Sequence, residues 1–169
     1  YQISPYLGEK QDCKFCQTPK AMNTTNTGTG VTEKQLNEVY NLMDVYCHPF
    51  TSGGQEIPIQ EAKLTELVTL VTSYSCGEDL CVPEAGSLAL DWSEYREHQT
   101  EFIKASTKPY SIAKQLKKVF RMKDKQRRAL EKKARKWVLK EYSVETIGAR
   151  IEKFIDAAPF REKEISFDS

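Results

Sequence analysis

Residues 51–55 form a glycine-containing loop between a predicted strand and a predicted helix. Open α/β sheets bind ligands at such loops, because the helix terminus presents unpaired N–H groups and a positive partial charge. Gly53 and Gly54 carry no side chain, so a ligand can approach the backbone there. Glu61 follows about one turn into the helix, and its carboxylate can accept hydrogen bonds from two hydroxyls, such as those of a ribose. The pattern indicates a phosphate and ribose site; a tight connection beside an exposed glutamate is the alternative.

Five cysteines offer a second kind of chemistry. Cys13 and Cys16 form a Cys-x-x-Cys pair, and Cys76 and Cys81 form a looser pair, so four thiolates could bind a structural zinc ion. The odd number, with Cys47 as the fifth, argues against a disulfide framework. Reduced thiols are the favoured interpretation, and the zinc site is kept as the alternative. The sequence contains no Asp-x-Asp pair, and we predict no catalytic metal.

Two histidines and two tryptophans could also contact a ligand. His48 ends the strand before the loop and could touch the site, although a packed or backbone-bonded histidine is at least equally favoured. His98 lies in a polar segment and is predicted to be exposed. Trp92 and Trp137 are predicted to belong to the core, and the helical spacing around Trp137 favours this most strongly.

A predicted βαβ unit positions the glycine loop. Thr32 followed by Gln35 predicts a capping box at the start of a helix. Residues 44–49 then form a short strand that ends at a proline. The next helix begins near Pro58, because proline fits the first helical turn. Residues 68–72 are a β-branched run with the length of a buried parallel strand.

The remaining elements are predicted to be mainly helical. A loop is expected at 73–83, extended segments at 86–91 and 102–105, and helices at 111–121, 124–141 and 143–157. The last helix carries an apolar stripe that is typical of a packing face, made of Val144, Ile147, Ile151, Phe154 and Ile155. The basic run 123–140 alternates with apolar positions and contains acidic residues, so a solvated helix face is favoured over a nucleic-acid patch.

The composition is that of an ordinary globular domain. The 169 residues include 25 basic and 24 acidic side chains, so the net charge of +1 provides no steering toward nucleic acid. No apolar run approaches the ~18 residues of a membrane span, and a cytoplasmic location is expected. Because the first residue is Tyr1 rather than methionine, we expect the natural chain to begin earlier.

These elements predict an α/β fold: a Rossmann-like parallel sheet with flanking helices and a helical C-terminal end. Residues 1–30 are predicted to be an irregular N-terminal segment of a truncated domain. Residues 31–158 are predicted to form the Rossmann-like, ligand-binding domain, and residues 159–169 are predicted to form a tail or linker.

Residues 48–62 resemble the donor-site segment of retaining glycosyltransferases of the GT-B class, family-4 type. They read His-Pro-Phe-Thr-Ser-Gly-Gly-Gln-Glu-Ile-Pro-Ile-Gln-Glu-Ala. Residues 31–45 resemble the helix and strand that lead into this segment, and residues 134–151 resemble the closing helices of the same domain. The chain is thus similar to the C-terminal, nucleotide-sugar-binding half of such an enzyme, and the resemblance covers roughly residues 31–157.

The resemblance implies a set of donor-binding residues. Glu61 would hold the donor ribose. Backbone N–H groups would face the sugar or diphosphate from Gly53, Gly54, Gln55, Glu56 and Ile57. The family's first motif glutamate falls on Gly53, which is a departure, and Glu56 lies three positions away as a candidate substitute. The Arg and Lys that usually hold the diphosphate are not recognised; Lys10, Lys14 and Lys20 are available.

The resemblance also implies the partners and the reaction. A sugar would pass with retention from a nucleotide-sugar to an unidentified acceptor, without a metal or another cofactor and with no catalytic residue assigned. The missing N-terminal domain of the GT-B fold would be the protein partner, and these residues alone are expected to transfer nothing. The alternative is a non-catalytic binding or interaction module, zinc-stapled in one version.

Overall fold

The computed structural model describes residues 10–11, 22–23 and 31–159. The strands are β1 (Lys10–Gln11), β2 (Met22–Asn23), β3 (Val45–His48), β4 (Val68–Thr72), β5 (Leu88–Leu90), β6 (Trp92–Arg96) and β7 (Ile103–Thr107). The helices are α1 (Glu33–Asn41), α2 (Ile57–Leu64), α3 (Cys76–Leu80), α4 (Pro109–Phe120), α5 (Asp124–Tyr142) and α6 (Val144–Asp156), with a 3-10 turn at Pro83–Ala85. Within the predicted segment 1–30 the structure describes only β1 and β2, and within the predicted tail it describes only Pro159. The boundaries of both segments therefore stay predictions.

A three-stranded parallel sheet in the order β3-β4-β5 lies at the centre of the fold. Val45 pairs with Val68 in the first ladder, and Leu70 pairs with Leu88 in the second. All five residues of β4 are buried, which fits a central parallel strand covered on both faces. The predicted βαβ unit and the mixed α/β class are therefore confirmed.

Two core clusters cover the two faces of this sheet, because alternate residues of a strand point to opposite sides. The cluster under α1, α2 and α3 contains Tyr40, Tyr46, Phe50, Ile59, Ala62, Leu67, Val71 and Leu80. The cluster under α4 contains Val68, Leu70, Leu88, Leu90 and Val119. The helices pack on both faces of the sheet and fix the positions of the carboxyl ends of β3 and β4. The glycine loop lies at these carboxyl ends.

Strands β6 and β7 form an antiparallel hairpin beside the sheet, and β1 pairs with β2 in the same sense. The extended segment predicted at 102–105 is part of β7, whereas β6 was not predicted. Four of the five β6 residues are exposed, so its sequence lacks the alternation that identifies a half-buried strand. The hydroxyls of Thr72 and Thr107 lie 2.6 Å apart and connect β4 to the hairpin.

The segment 73–83, predicted to be a loop, contains the short helix α3. Gly77 within it is buried, and a Cβ there would collide with the Thr72 carbonyl and lie 2.9 Å from Phe50 Cζ. The close packing requires glycine at position 77, and glycine is a poor helix former. The sequence of this segment therefore does not predict a helix.

Helix α6 is confirmed, and Ser143 caps it by accepting a hydrogen bond from the Thr146 N–H at 3.2 Å. Most of its apolar stripe is exposed in the described chain, and only Ile147 of the five stripe residues is half-buried. Val144 is 85% exposed and Phe154 is 78% exposed, and no α6 residue is buried. A helical period shows which residues share a face, but it does not supply a partner for that face.

The charged face of α5 is exposed, which agrees with the solvated helix predicted there. Arg127 lies 3.6 Å from Asp44 and 3.7 Å from Glu131, so part of the positive charge is neutralised. Trp137 is half-buried against the first core cluster, and the half-buried Trp92 donates its indole N–H to the Ser73 carbonyl at 2.6 Å. None of the described helices is long and apolar enough to cross a membrane.

Lys63, on α2, is completely buried. Its ammonium group donates hydrogen bonds to the carbonyls of Leu80 and Ala85, at 3.4 and 2.5 Å, and to the Ser87 hydroxyl at 2.6 Å. It also lies 5.3 Å from the ring centre of Trp137. Lys63 therefore ties α2 to the chain segment between α3 and β5.

Candidate functional site

The glycine loop leaves the carboxyl end of β3, and three hydrogen bonds fix its path. The Phe50 N–H donates to the Thr72 hydroxyl at 3.2 Å, and the Ala105 N–H donates to the Thr51 carbonyl at 2.9 Å. The Ser75 hydroxyl donates to the Gly53 carbonyl at 2.8 Å. The loop is therefore held by β4, by β7 and by the segment that follows β4.

Glu61 projects from α2 into a cavity between α1 and α2. Its Oε2 accepts a hydrogen bond of 2.9 Å from the Tyr40 hydroxyl, which also lies 3.3 Å from the Pro58 carbonyl. Burial, followed by the hydrogen bond to Glu61, raises the pKa of Tyr40, so the hydroxyl stays a donor. The cavity is about 280 Å³ and is lined by Glu33, Leu36, Asn37, Tyr40, Glu61, Leu64 and Thr65.

An aromatic row connects Glu61 to the loop. Tyr46 and His48 lie on one face of β3 with ring centres 5.6 Å apart, and Tyr40 packs 5.8 Å from Tyr46. The Tyr46 hydroxyl lies 3.1 Å from Nδ1 of His48. Burial, and then the negative charges of Glu61 and Glu56, raise the pKa of Tyr46 to about 12. Both glutamates thus act on the same tyrosine.

Glu56 is held at the other end of this row. Nε2 of His48 lies 3.0 Å from Oε2 of Glu56. In the tautomer with the proton on Nε2, His48 donates to Glu56, and Nδ1 accepts the Tyr46 hydroxyl. The side chain of Glu56 folds back over Gly53: a Cβ on Gly53 would collide with Oε1 and lie 3.1 Å from Cδ. The carboxylate therefore fills the space that a side chain at position 53 would need.

A second cavity, of about 310 Å³, lies on the Glu56 side of α2. It is lined by Gly54, Gln55, Glu56, Gln60, Cys76, Asp79, Leu80, Tyr142 and Ile147. The lining residues come from the glycine loop, from α2, from α3 and from the junction of α5 with α6. Distant parts of the sequence therefore meet at this cavity.

The residues predicted from sequence are divided between these two cavities. Gly54, Gln55 and Glu56 line the second cavity, whereas Glu61 lines the first. Gly53 lies under Glu56, and the side chain of Ile57 is 57% exposed. Among the described residues, neither cavity is lined by Lys or Arg.

Sequence analysis missed Tyr40 and Tyr46 as polar partners and left the role of His48 open. The helical spacing of Tyr40 in α1 is that of an apolar core position and gives no sign of a polar partner. The alternation of Tyr46 and His48 along β3, continued by Phe50 just after the strand, is the available signal, because residues two apart share a face of a strand. His98 is exposed, as predicted.

The zinc alternative gains no support from the described residues. They contain no group of three or more side chains able to hold a metal ion. Cys76 and Cys81 are free thiols, and burial raises the pKa of Cys81 to about 11. Cys13 and Cys16 lie outside the described residues, as do Lys14 and Lys20, so the predictions that involve them stay predictions.

Comparison with known proteins gave no match to any protein-family model, any curated protein or any solved structure. The glycosyltransferase resemblance therefore rests on the sequence motif alone.

Proposed function

We propose that this chain is the donor-binding domain of a retaining glycosyltransferase and that Glu61 binds the ribose of a nucleotide-sugar. The fold would be the Rossmann-like half of a GT-B enzyme. The observation that carries the proposal is the position of Glu61: it lies on the helix after the glycine loop, at a cavity, with its carboxylate oriented by Tyr40.

The chemistry of this carboxylate suits a diol. The Tyr40 hydroxyl donates a hydrogen bond to Oε2 of Glu61. Within residues 31–159 no protein group donates to Oε1 of Glu61. An ionised carboxylate has about four acceptor positions, so it can accept bonds from two neighbouring hydroxyls while it keeps the bond to Tyr40. Leu36 and Leu64 give the same cavity an apolar wall, which suits the flat face of a base.

The transfer step would depend on electrostatic stabilisation of the departing diphosphate. The described residues offer the loop and the amino end of α2 for this purpose, without a nearby Lys or Arg. The cations and the acceptor would come from other parts of the full enzyme. We therefore expect these residues to bind nucleotide weakly and to transfer no sugar by themselves.

Calorimetric titration with UDP, GDP and ADP tests the proposal. One nucleotide should bind saturably, and Glu61→Gln should weaken its binding by about 1–3 kcal/mol, because a ligand hydroxyl loses its charged acceptor. Tyr40→Phe should weaken it less, since only the orientation of the carboxylate is lost.

Glu38→Gln is the matched control, because Glu38 is exposed on α1 and lines neither cavity. It makes the same change of charge and should leave the affinity unchanged. Failure of all three nucleotides to bind, or equal weakening by Glu38→Gln and Glu61→Gln, would contradict the proposed site.

A further inference from the structure

Helix α4 carries a row of cations on its exposed side. The four residues lie three or four positions apart and share one face of the helix, and each of them is exposed: Lys114, Lys117, Lys118 and Arg121. They border a shallow depression of the surface together with Tyr110, which is 61% exposed. These four cations form the basic row.

The positive charge of the basic row is not neutralised within the described chain. Among residues 31–159, no Asp or Glu forms an ion pair with any of the four cations. Arg127 on α5 differs, because it lies near the carboxylates of Asp44, Asp124 and Glu131. Like charges three and four residues apart destabilise a helix slightly, so the basic row does not benefit folding. Its charge pattern instead fits an anionic partner.

An apolar groove of about 460 Å³ lies beside the basic row, on the next face of α4. Leu116, Val119, Phe120 and Met122 form its wall together with Val45 of β3. Phe120 is 91% exposed and Leu116 is 42% exposed. A partner that covered these side chains would gain their apolar area. The exposed side of α4 therefore presents cations and apolar side chains next to one another.

We propose that this side of α4 binds the surface of a lipid bilayer that contains anionic lipids, with the basic row at the headgroups and Phe120 inserted between them. Anionic headgroups attract Lys and Arg, and the bilayer interface buries apolar side chains. The phosphates of a nucleic acid would also match the cations. The groove beside them is mainly aliphatic, however, and does not provide the aromatic platform on which bases stack.

Helix α6 also exposes apolar side chains, but its charge does not suit this partner. Phe154 is 78% exposed. The thirteen residues of α6 include two basic and three acidic side chains, so the helix carries no excess of positive charge. An anionic bilayer would not attract it. Phe154 is therefore a matched comparison for Phe120.

The proposed surface lies on the opposite face of the sheet from the cavity that contains Glu61. Helix α4 covers the cluster that includes Val119, whereas α1 and α2 cover the cluster that includes Tyr40. Bilayer binding would leave the Glu61 cavity open. The inference does not depend on the function proposed above, and nucleotide titration and lipid binding test the two separately.

Co-sedimentation of the protein with lipid vesicles tests the inference. Vesicles of phosphatidylcholine with about one-third phosphatidylserine should bind the protein, and vesicles of phosphatidylcholine alone should not. Raising the salt from about 0.1 M to about 0.5 M should weaken the binding at least tenfold, because salt screens exposed charges. Lys117→Gln/Lys118→Gln should weaken it about 30-fold, since each cation near such a surface is worth about fivefold. Phe120→Ala should weaken it about fivefold, because the ring no longer enters the interface.

Lys34→Gln/Lys153→Gln is the control for charge, because both lysines are exposed and lie outside α4. Phe154→Ala is the control for apolar area. Both controls should keep the binding of the parent protein. Binding to neither kind of vesicle, equal binding to both, or equal losses in variants and controls overturns the inference. Tighter binding of a DNA oligonucleotide than of the anionic vesicles overturns it as well, and would assign the basic row to nucleic acid.

Discussion

At the scale of single residues, Gly53 and Glu56 act as a pair. The family motif that residues 48–62 resemble has a glutamate at position 53, and this chain has glycine there. The structure places the Glu56 carboxylate in the space above Gly53, where His48 holds it. A carboxylate therefore lies beside position 53 although residue 53 itself is a glycine, and the missing side chain of Gly53 leaves room for it.

Gly53→Ala tests this pairing. The added Cβ must displace Glu56 and break its bond to His48, so we expect a loss of about 1 kcal/mol in the free energy of unfolding, a typical value for one hydrogen bond. Urea unfolding measures it. Gly54→Ala is the control, because a Cβ at Gly54 meets nothing within 4 Å. In a Glu56→Ala background Gly53→Ala should cost nothing; an equal loss in both backgrounds contradicts the pairing.

The sequence allowed Glu61 to be chosen and Glu56 to be considered, because both belong to one continuous segment. It did not identify Tyr40 and Tyr46 as the groups that orient them. A tyrosine at a core position has the same periodicity as a leucine, and its hydroxyl partner is decided by packing. Asp79 and Tyr142 were missed for a stronger reason: they come from α3 and from the end of α5 and meet Glu56 only in the folded chain.

At the scale of elements, the βαβ unit and helices α4, α5 and α6 were predictable, because each has a clear period or a capping residue. Strand β6 and helix α3 were not. Because most of β6 is exposed, its sequence does not alternate between apolar and polar residues. Gly77 lowers the helical propensity of α3, and its close contact with Phe50 leaves no room for a side chain. The miss of α3 thus arises where a tertiary contact outweighs local propensity, and the miss of β6 arises because exposure removes the pattern.

Packing of α5 against the turn before β5 depends on Gly86. This residue has φ of +69°, and a Cβ on it would lie 2.8 Å from the Ala134 amide nitrogen and 3.0 Å from the Leu130 carbonyl. Gly86→Ala should therefore reduce the free energy of unfolding by about 2–4 kcal/mol, because backbone strain and overpacking add.

Gly148→Ala provides the comparison for Gly86→Ala in urea unfolding. Gly148 lies inside α6 with nothing within 4 Å of an added Cβ. Alanine there should be neutral or stabilise by up to about 1 kcal/mol, since it favours the helix. If the two variants are equally stable, the close contact between the turn and α5 is wrong.

At the scale of the whole molecule, a net charge of +1 conceals a strong separation of charge. Residues 108–140 contain fourteen of the 25 basic and two of the 24 acidic residues. The rest of the chain, which includes both cavities, is correspondingly acidic. Arg127 pairs with Asp44 and Arg135 pairs with Glu66 across this division. Under the function proposed above, the diphosphate would meet no Lys or Arg among the described residues that line the two cavities.

Lys63 is the one completely buried charged side chain among the described residues, and it makes global stability depend on pH. Burial lowers the pKa of Lys63 from 10.5 to about 8. Between these values the unfolded chain binds a proton that the folded chain has released, so stability rises with pH through this window. The stabilisation is complete above the unfolded pKa and is lost as the pH falls through about 8.

Lys63→Met should remove this pH dependence. At pH 7 we expect a loss of about 1–3 kcal/mol, because the buried Leu80 and Ala85 carbonyls lose their donor. The loss should grow by up to about 3 kcal/mol as the pH rises from 8 to 10.5, since only the parent protein gains stability there. Urea unfolding at several pH values measures both, and the buried tyrosines, present in both proteins, cancel in the difference. Lys136→Met, at an exposed position on α5, should match the parent at every pH. A difference between parent and Lys63→Met that stays constant with pH would show that Lys63 does not titrate in this window.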